Sequence, residues 1–320
     1  MRILFVALFA ATGVADAYAQ ATYPNRPMRW IIPYAAGGGT DVIARPIAIR
    51  LSEALGQSIV YENRGGGGGL IGAEVVARSA PDGYTFLVAA GNTHVFATLL
   101  NDKIAYDPVK DFATITKFDT TPNVLVSHPA FPPRTIKELI AYGKANPGKI
   151  TWASSGNGSG GHLGIVQFAE EAGIKVLHVP YKGAGPATTG TLAGENNLIF
   201  VNPGVVMSHI KSGRLRPLGF ASAKRLSTLP DVPTLDESGF PGFDSSNFKG
   251  LMAPAGTPRP IINKLHAELV KIVHSPENVA RMTALGSVPV GNTPEQFAEE
   301  NRLEVAKWAR IIKQHGIKAD

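Results

Sequence analysis

The chain contains no cysteine. That single absence removes disulfides, thiolate nucleophiles and Cys-based zinc or iron–sulfur sites. Its eight histidines are scattered, with no H-x-x-x-H and no carboxylate beside a pair at ligand spacing, so no metal and no metal chemistry is expected. Beyond the first residues no apolar run is long enough to span a bilayer. Only 18% of residues are charged, and the net charge of +6 is not gathered into a dense basic run with interleaved aromatics. Nucleic acid is therefore not an expected partner, whereas a basic surface suits the steering of small anions toward a cleft.

The one strongly apolar run lies at the start. Arg2 is followed by ILFVALFAA and then by AYA at Ala17 to Ala19, the pattern of a secretory signal cut after Ala19. The remaining chain is expected to be exported, to the periplasm in a bacterium. With 320 residues, 44% of them hydrophobic, it is long enough for two ordinary domains.

What is present is one design used twice. RWIIPY reads as a buried strand, AAGGGT as a loop and DVIARPIAIRLSEALG as a helix. SIVYEN is the next strand, RGGGGG a loop, DGYTFLVAA a strand and GNTH a loop. In the second half KITWAS, SGNGSGG and HLGIVQFAEEAG repeat strand, glycine loop and helix; KVLHVP, YKGAG, GENNLIFV and the loop NPG follow. Strands alternating with helices imply a parallel sheet covered on both faces, with its loops on one edge. Two such α/β lobes with facing loop edges enclose a cleft.

Residues 113–130 read as extended chain crossing between lobes, and SSNFKGLMAPAGTP crosses back. The expected division is a signal at 1–19, a discontinuous first lobe at 20–121 and 248–320, and a second lobe at 122–247. Thr257-Pro258 and Thr293-Pro294 look like helix caps, the second with a capping box to Gln296. Phe297, Val305, Trp308 and Ile312 share a face of the last helix, expected to dock on the first lobe. Pro46 lies inside a predicted helix, where it removes one hydrogen bond.

The glycine loops decide the chemistry. AAGGGTD lacks the lysine of a phosphate-binding P-loop. Gly156, Gly158 and Gly161 match G-x-G-x-x-G, but HVPYK stands where a dinucleotide site needs an acidic residue. Ser159 has His162 three residues on, yet NGSGG is not a nucleophile elbow. No cofactor is expected. What survives is anion binding by neutral donors: backbone N–H groups of Gly37, Gly38, Gly39 and Thr40, and of Ser155 to Gly160, with hydroxyls of Thr40, Ser154, Ser155 and Ser159. With no lysine or arginine in either loop, such a site favours a carboxylate.

Around this core, Asp41 is expected as an N-cap, and the five glycines at 65–69 as a tight turn. Lys182 is the nearest cation to the cleft, either solvated or in contact with a ligand. Asn92 and Asn202 sit at matching strand ends and are placed to give amide donors. Tyr34 either covers a ligand or packs, and Phe248 lines either a hinge-side wall or the core. The mechanism this suggests is hinged closure without chemistry. A secreted hydrolase, or a sensor that signals when loaded, stays open beside it.

The segments YPNRPMRWIIPYAAGGGTDVIAR, VYENRGGGGGLIGAEVVARSAPDGYT, YDPVKDF, ASSGNGSGGHL, HVPYKGAGPA, LPDVPTLDESGFPGF and LMAPAGTP occur in this order. From about Tyr23 to Gly316 the chain resembles the substrate-binding receptors of tripartite tricarboxylate transporters, the Bug family. The resemblance implies a periplasmic binding protein of the type II, Venus-flytrap fold; the chain is expected to be a monomer and not an enzyme. It implies a small organic carboxylate ligand (dicarboxylate, amino acid or aromatic acid) and two partners, a large and a small integral membrane subunit. Carried over, the grip is Tyr34 with Gly37 to Thr40 in the first lobe. In the second it is Ser154, Ser155, Gly158, Ser159 and the helix start at His162.

Overall fold

The structure is a computed structural model and describes residues 23–34, 36, 39–66, 69–101 and 103–318. The expected export signal, Gly37 and Gly38 lie outside the described residues.

Two sheets organise the chain. The first comprises β1 (Met28–Ile32), β2 (Ile59–Asn63), β3 (Thr85–Ala90), β4 (Phe112–Thr121), β10 (Asn247–Pro254) and β11 (Val288–Pro289), in the order β11-β4-β10-β3-β1-β2. The second comprises β5 (Asn123–Ser127), β6 (Ile150–Ser154), β7 (Val176–Pro180), β8 (Leu198–Val201) and β9 (Arg216–Ala221), in the order β7-β6-β8-β5-β9. The runs β2-β1-β3-β10-β4 and β7-β6-β8-β5-β9 correspond strand for strand.

The sheets are mixed, not parallel as the alternation of strands and helices suggested. β2-β1-β3 and β7-β6-β8 are parallel, but β10 and β5 are antiparallel to both neighbours. Each reversed strand is the one that arrives from the other lobe. No strand–helix–strand crossover feeds it, so nothing forces it parallel. β4 passes into β5 across Pro122 alone, and the return runs through residues 222–246.

Both faces of the first sheet are covered, which is why β1 is apolar except for Arg29, which pairs with Glu62 of β2. On one side Trp30 and Phe86 pack with Ile43, Ile47 and Leu51 of α1 (Gly39–Leu55) and Leu265 and Leu269 of α8 (Arg259–Val273). On the other, Ile31 and Leu87 pack with α2 (Leu70–Ala77), α3 (Asn92–Ala97) and α10 (Pro294–His315). Of the expected α10 face, Phe297, Trp308 and Ile312 are buried and Val305 is partly buried, and the Thr293–Gln296 capping box is formed. The second sheet is covered likewise, by α4 (Ile136–Ala145), α5 (Gly160–Ala172), α6 (Ala184–Leu192) and α7 (Pro203–Lys211), with Trp152 edge-on to Phe168 and Phe200. Helix α9 (Pro276–Ala284) precedes β11.

Four local readings are corrected. GNTH is not a loop: Gly91 is helical and α3 follows at once as a π-helix, anchored by buried Val95 and Phe96. NPG is the start of α7, where the Asn202 side chain accepts from Gly204 N at 2.9 Å and Pro203 occupies the first turn. Asp41 lies within the first turn of α1 rather than before it, paired with Arg45 at 2.9 Å. Thr257 turns its hydroxyl back to Pro254 O at 2.7 Å, and α8 begins after Pro258. Pro46 sits inside α1 without ending it.

Candidate functional site

The lobes touch. Leu163 of α5 packs in the same apolar cluster as Phe96 of α3 and Trp308 of α10. Glu170 of α5 accepts from Gln314 at 2.6 Å and meets His315 at 2.9 Å, both on α10. The glycine loop after β6 abuts α3 and the residues that follow it. A Cβ on Gly160 would lie 3.1 Å from Phe96 Cε2 and 3.2 Å from Asn92 Oδ1, and one on Gly158 would collide with Leu100 Cδ1.

Between the lobes lies a cavity of about 150 Å³. The first lobe contributes Asn92 and Phe96, and Asn247 stands at the crossing, where β10 enters the first sheet. The second contributes Asn123, Ser155, Gly160, Gly161, Ala184, Phe200, Val201 and Asn202, and the returning chain adds Ser245. No charged side chain stands among these lining residues. Three helices of the second lobe start here: α5 at Gly160, α6 at Ala184 and α7 just after Asn202. N–H groups at the α5 and α6 starts and the positive ends of three helix dipoles therefore border one space, while at α7 Pro203 has no N–H and Gly204 N and Val205 N are bonded to Asn202, an environment that favours an anion without a counter-charge.

The four asparagines follow the strand correspondence. Asn92 follows β3 and Asn202 follows β8; Asn247 opens β10 and Asn123 opens β5. Each sheet thus has one amide at the end of its third parallel strand and one at the start of its incoming strand. Backbone partners fix the orientation of three of them, Asn247, Asn202 and Asn123. Asn92 N donates to Asn247 Oδ1 at 3.2 Å, Gly204 N to Asn202 Oδ1 at 2.9 Å, and Asn123 Nδ2 donates to Ser245 O at 2.8 Å.

Of the residues expected from sequence, Asn92, Ser155, Gly160 and Asn202 come together at this cavity. The others are placed differently. Ser159 caps α5, accepting from His162 N at 3.3 Å while its own proton goes to Gly156 O at 2.7 Å. Ser154 is fully buried, 3.1 Å from Gly156 O and 2.6 Å from His178 Nε2. Gly158 N donates to His162 Nδ1 at 3.0 Å, and the His162 ring stacks on His178 at 3.9 Å. These groups shape the loop from behind. Gly39 and Thr40 form the first turn of α1, Thr40 being buried. Tyr34 packs rather than covering the cavity: its hydroxyl bonds Thr93, and burial pushes the phenol up to about 12, so it stays neutral. Phe248 is in the core, edge-on to Phe297 at 5.4 Å, and its neighbour Asn247 takes the wall. Lys182 is exposed and outside the lining.

The G-x-G-x-x-G match is explained by packing. Gly156 and Gly158 have positive φ in the turn, and Gly161 lies against the Phe200 carbonyl, where a Cβ would sit 2.5 Å away. Asn123, Ser245 and Asn247 were missed from sequence. Their signal was present in TTPNVLVS and SSNFKG, because a strand that crosses a cleft exposes its first residue there.

Among the described residues no helix is long and apolar enough to cross a membrane, and no group of three metal-ligating side chains occurs. A mixed α/β lobe pair with a neutral-donor cavity at its crossings defines a solute-binding fold. Residues 43–317 match the profile of the tripartite tricarboxylate transporter family receptor, and the chain belongs to that family. Protein BugT of Bordetella pertussis (strain Tohama I / ATCC BAA-589 / NCTC 13251) is 36% identical over 315 residues, 98% of this chain and 97% of that protein. Rpa4515 of R. palustris, solved with adipate, is 32% identical over 92% of this chain and 99% of its own, with a TM-score of 0.77. MatC (Rpa3494) from Rhodopseudomonas palustris, solved with bound malate, is 31% identical over 91% of this chain and 100% of its own, with a TM-score of 0.72.

Proposed function

We propose that this protein is a periplasmic receptor that captures a small organic carboxylate between its lobes and delivers it to a tripartite tricarboxylate-type transporter. The observation that carries the reading is the convergence of the α5, α6 and α7 starts on a cavity without a charged lining residue. Dipoles and hydrogen bonds hold an anion there, and opening the lobes removes the first-lobe donors and releases it. The adipate and malate bound by the two R. palustris relatives are acids of the same class. The moving units are residues 20–121 with 248–320, and residues 122–247, pivoting on the β4–β5 step and the start of β10. Residues 1–19 direct export of the monomer and are removed in the mature protein, and its partners are the large and small membrane subunits.

No bond is made or broken in this reading. The Ser154–His178 pair at 2.6 Å has the look of a hydrolytic dyad, but Ser154 has no exposed surface and its Oγ also accepts from Gly156 N at 3.2 Å. No carbonyl carbon reaches that oxygen.

The test is a thermal-shift screen of the protein lacking residues 1–19, after a denature–refold cycle, against mono-, di- and tricarboxylates and aromatic acids. A ligand at 100 times its dissociation constant adds about 2.7 kcal/mol. A carboxylate hit supports the receptor. No shift with any acid, together with turnover of an ester or amide panel, sinks it.

A further inference from the structure

The orientation of the cavity amides says more about the ligand than its charge. Resting on the receptor reading above, we infer that the preferred ligand is a hydroxylated carboxylate, its hydroxyl donating to Asn123 Oδ1 while its carboxylate faces the amide and backbone donors of Asn202, Asn247 and the α5 start.

An Asn side chain can be flipped without changing its shape, so its polarity is known only from its partners. Here the partners are backbone groups and leave no choice. Gly204 N and Asn92 N can only donate, so Asn202 and Asn247 must offer them Oδ1 and keep NH2 for the cavity. Ser245 O can only accept, so Asn123 must spend Nδ2 on it, at 2.8 Å, and keeps Oδ1 as its remaining polar atom. Asn202 and Asn123 sit side by side, because Val124 pairs with Val201 in the β5–β8 register. A donor amide and an acceptor amide therefore stand together in one wall.

A plain carboxylate satisfies the donors and leaves Asn123 Oδ1 facing a group that cannot donate. A ligand that carries a proton donor beside its carboxylate satisfies both. Two groups qualify chemically, a hydroxyl and an ammonium. The three helix starts decide between them, because their positive ends repel an ammonium and are indifferent to a neutral hydroxyl.

The experiment is calorimetric titration of the refolded protein with two matched series: propionate, lactate and alanine; and succinate, malate and aspartate. In whichever series binds, the hydroxy acid is expected to bind about tenfold tighter than the unsubstituted acid, the size of one neutral hydrogen bond. It is also expected to bind tighter than the amino acid. Asn123→Ala should lower hydroxy-acid affinity by about tenfold more than it lowers that of the unsubstituted acid, so that the preference between the two disappears. Acids that bind with no hydroxyl preference, or an amino acid that binds best, overturn this inference and leave the receptor reading standing. If no acid in either series or in the wider screen binds, the receptor reading itself fails. Should Asn123→Ala not fold, the ranking within the unaltered protein still decides.

Discussion

The backbone N–H of Asn92 donates to the side-chain oxygen of Asn247 at 3.2 Å, tying the start of α3 to the strand that returns from the second lobe. The corresponding residues of the other lobe, Asn202 and Asn123, are not joined this way; Asn202 caps α7 and Asn123 holds Ser245. One repeated plan thus supplies four amides, and different local partners turn them into different binding groups. The asymmetry gives the cavity two chemically distinct walls.

Asn247 can be tested because its two roles separate. Asn247→Asp keeps an oxygen acceptor for Asn92 N but sets a negative charge against the bound anion. Melting temperature is expected to hold while carboxylate affinity falls at least about tenfold, a loss on the order of 1.4 kcal/mol. Asn247→Ala removes the partner of the exposed Asn92 N, costing about 0.5–1.5 kcal/mol of stability as well. Denaturant titration and calorimetry distinguish the two. An aspartate variant that binds normally would remove Asn247 from the ligand's surroundings.

Closure depends on the glycine at 158. Its φ of +71° and the proximity of Leu100 Cδ1 both oppose a side chain. Gly158→Ala is expected to fold and to bind weakly, because the loop cannot meet the segment after α3. Adding Leu100→Ala should restore part of the affinity, the remainder reflecting about 1–2 kcal/mol of left-handed backbone strain. X-ray scattering with saturating ligand should show the single variant more extended than the double. If Leu100→Ala rescues nothing, the loss is backbone strain alone and the lobe contact is incidental.

Much of this fold was legible in the chain because it is periodic. Buried strands such as RWII and TFLVAA, capped helices such as α5 and α10, and the twofold repetition of strand, glycine loop and helix are local signals. The reversal of β5 and β10 was not legible, since strand direction is set by which lobe the chain comes from. Short polar strings misled for a related reason. GNTH and NPG look like turns, yet Val95, Phe96 and the Asn202 cap make them helix starts. At the site, sequence found the loop and missed its division of labour. A serine beside glycines reads as a ligand donor, but the hydroxyls of Ser154 and Ser159 are committed to the loop's own backbone. The amides at strand ends carry the wall instead, and their polarity depends on contacts from distant segments.

Two buried groups pull stability in opposite directions with pH. His94 is enclosed, its Nε2 2.7 Å from Pro108 O, and burial lowers it to about 4. The unfolded chain takes up that proton near pH 6.5, so the contribution is complete above that value and is lost as pH falls toward 4, about 3 kcal/mol in all. Glu304 on α10 is raised to about 7 by burial; it faces Lys117 and Lys307, which oppose the shift, and Asp244 and Glu300, which add to it. A raised acid stabilises the fold below its unfolded value, and that contribution disappears as pH rises through 7. Between about pH 4.5 and 6.5 the two effects partly cancel. Denaturant unfolding of Glu304→Gln should therefore show a steeper loss on acidification than the unaltered protein, and His94→Gln a gain. Parallel profiles for all three proteins would mean that neither group titrates where its surroundings place it.

Beneath the cavity, the hinge strands are held by a buried charge pair. Lys249 Nζ lies 3.1 Å from Asp119 Oδ2 and 2.7 Å from Thr121 Oγ1, with the two charged side chains 7% and 0% exposed. Breaking such a pair strands a charge, whereas replacing both partners removes the desolvation that made it costly. Lys249→Met should lower unfolding free energy by about 3–5 kcal/mol, since Asp119 would keep only the Thr121 hydroxyl. The double variant Lys249→Met with Asp119→Leu should recover most of that loss in urea titration. Because β4 and β10 both lead into the crossings, the double variant also asks whether the pair does more than stabilise. Unchanged carboxylate affinity would make it a purely structural clamp. Recovered stability with weakened binding would show that the charges set the register in which Asn247 meets Asn92. A single variant as stable as the unaltered protein would contradict the burial of Asp119 on which the prediction stands.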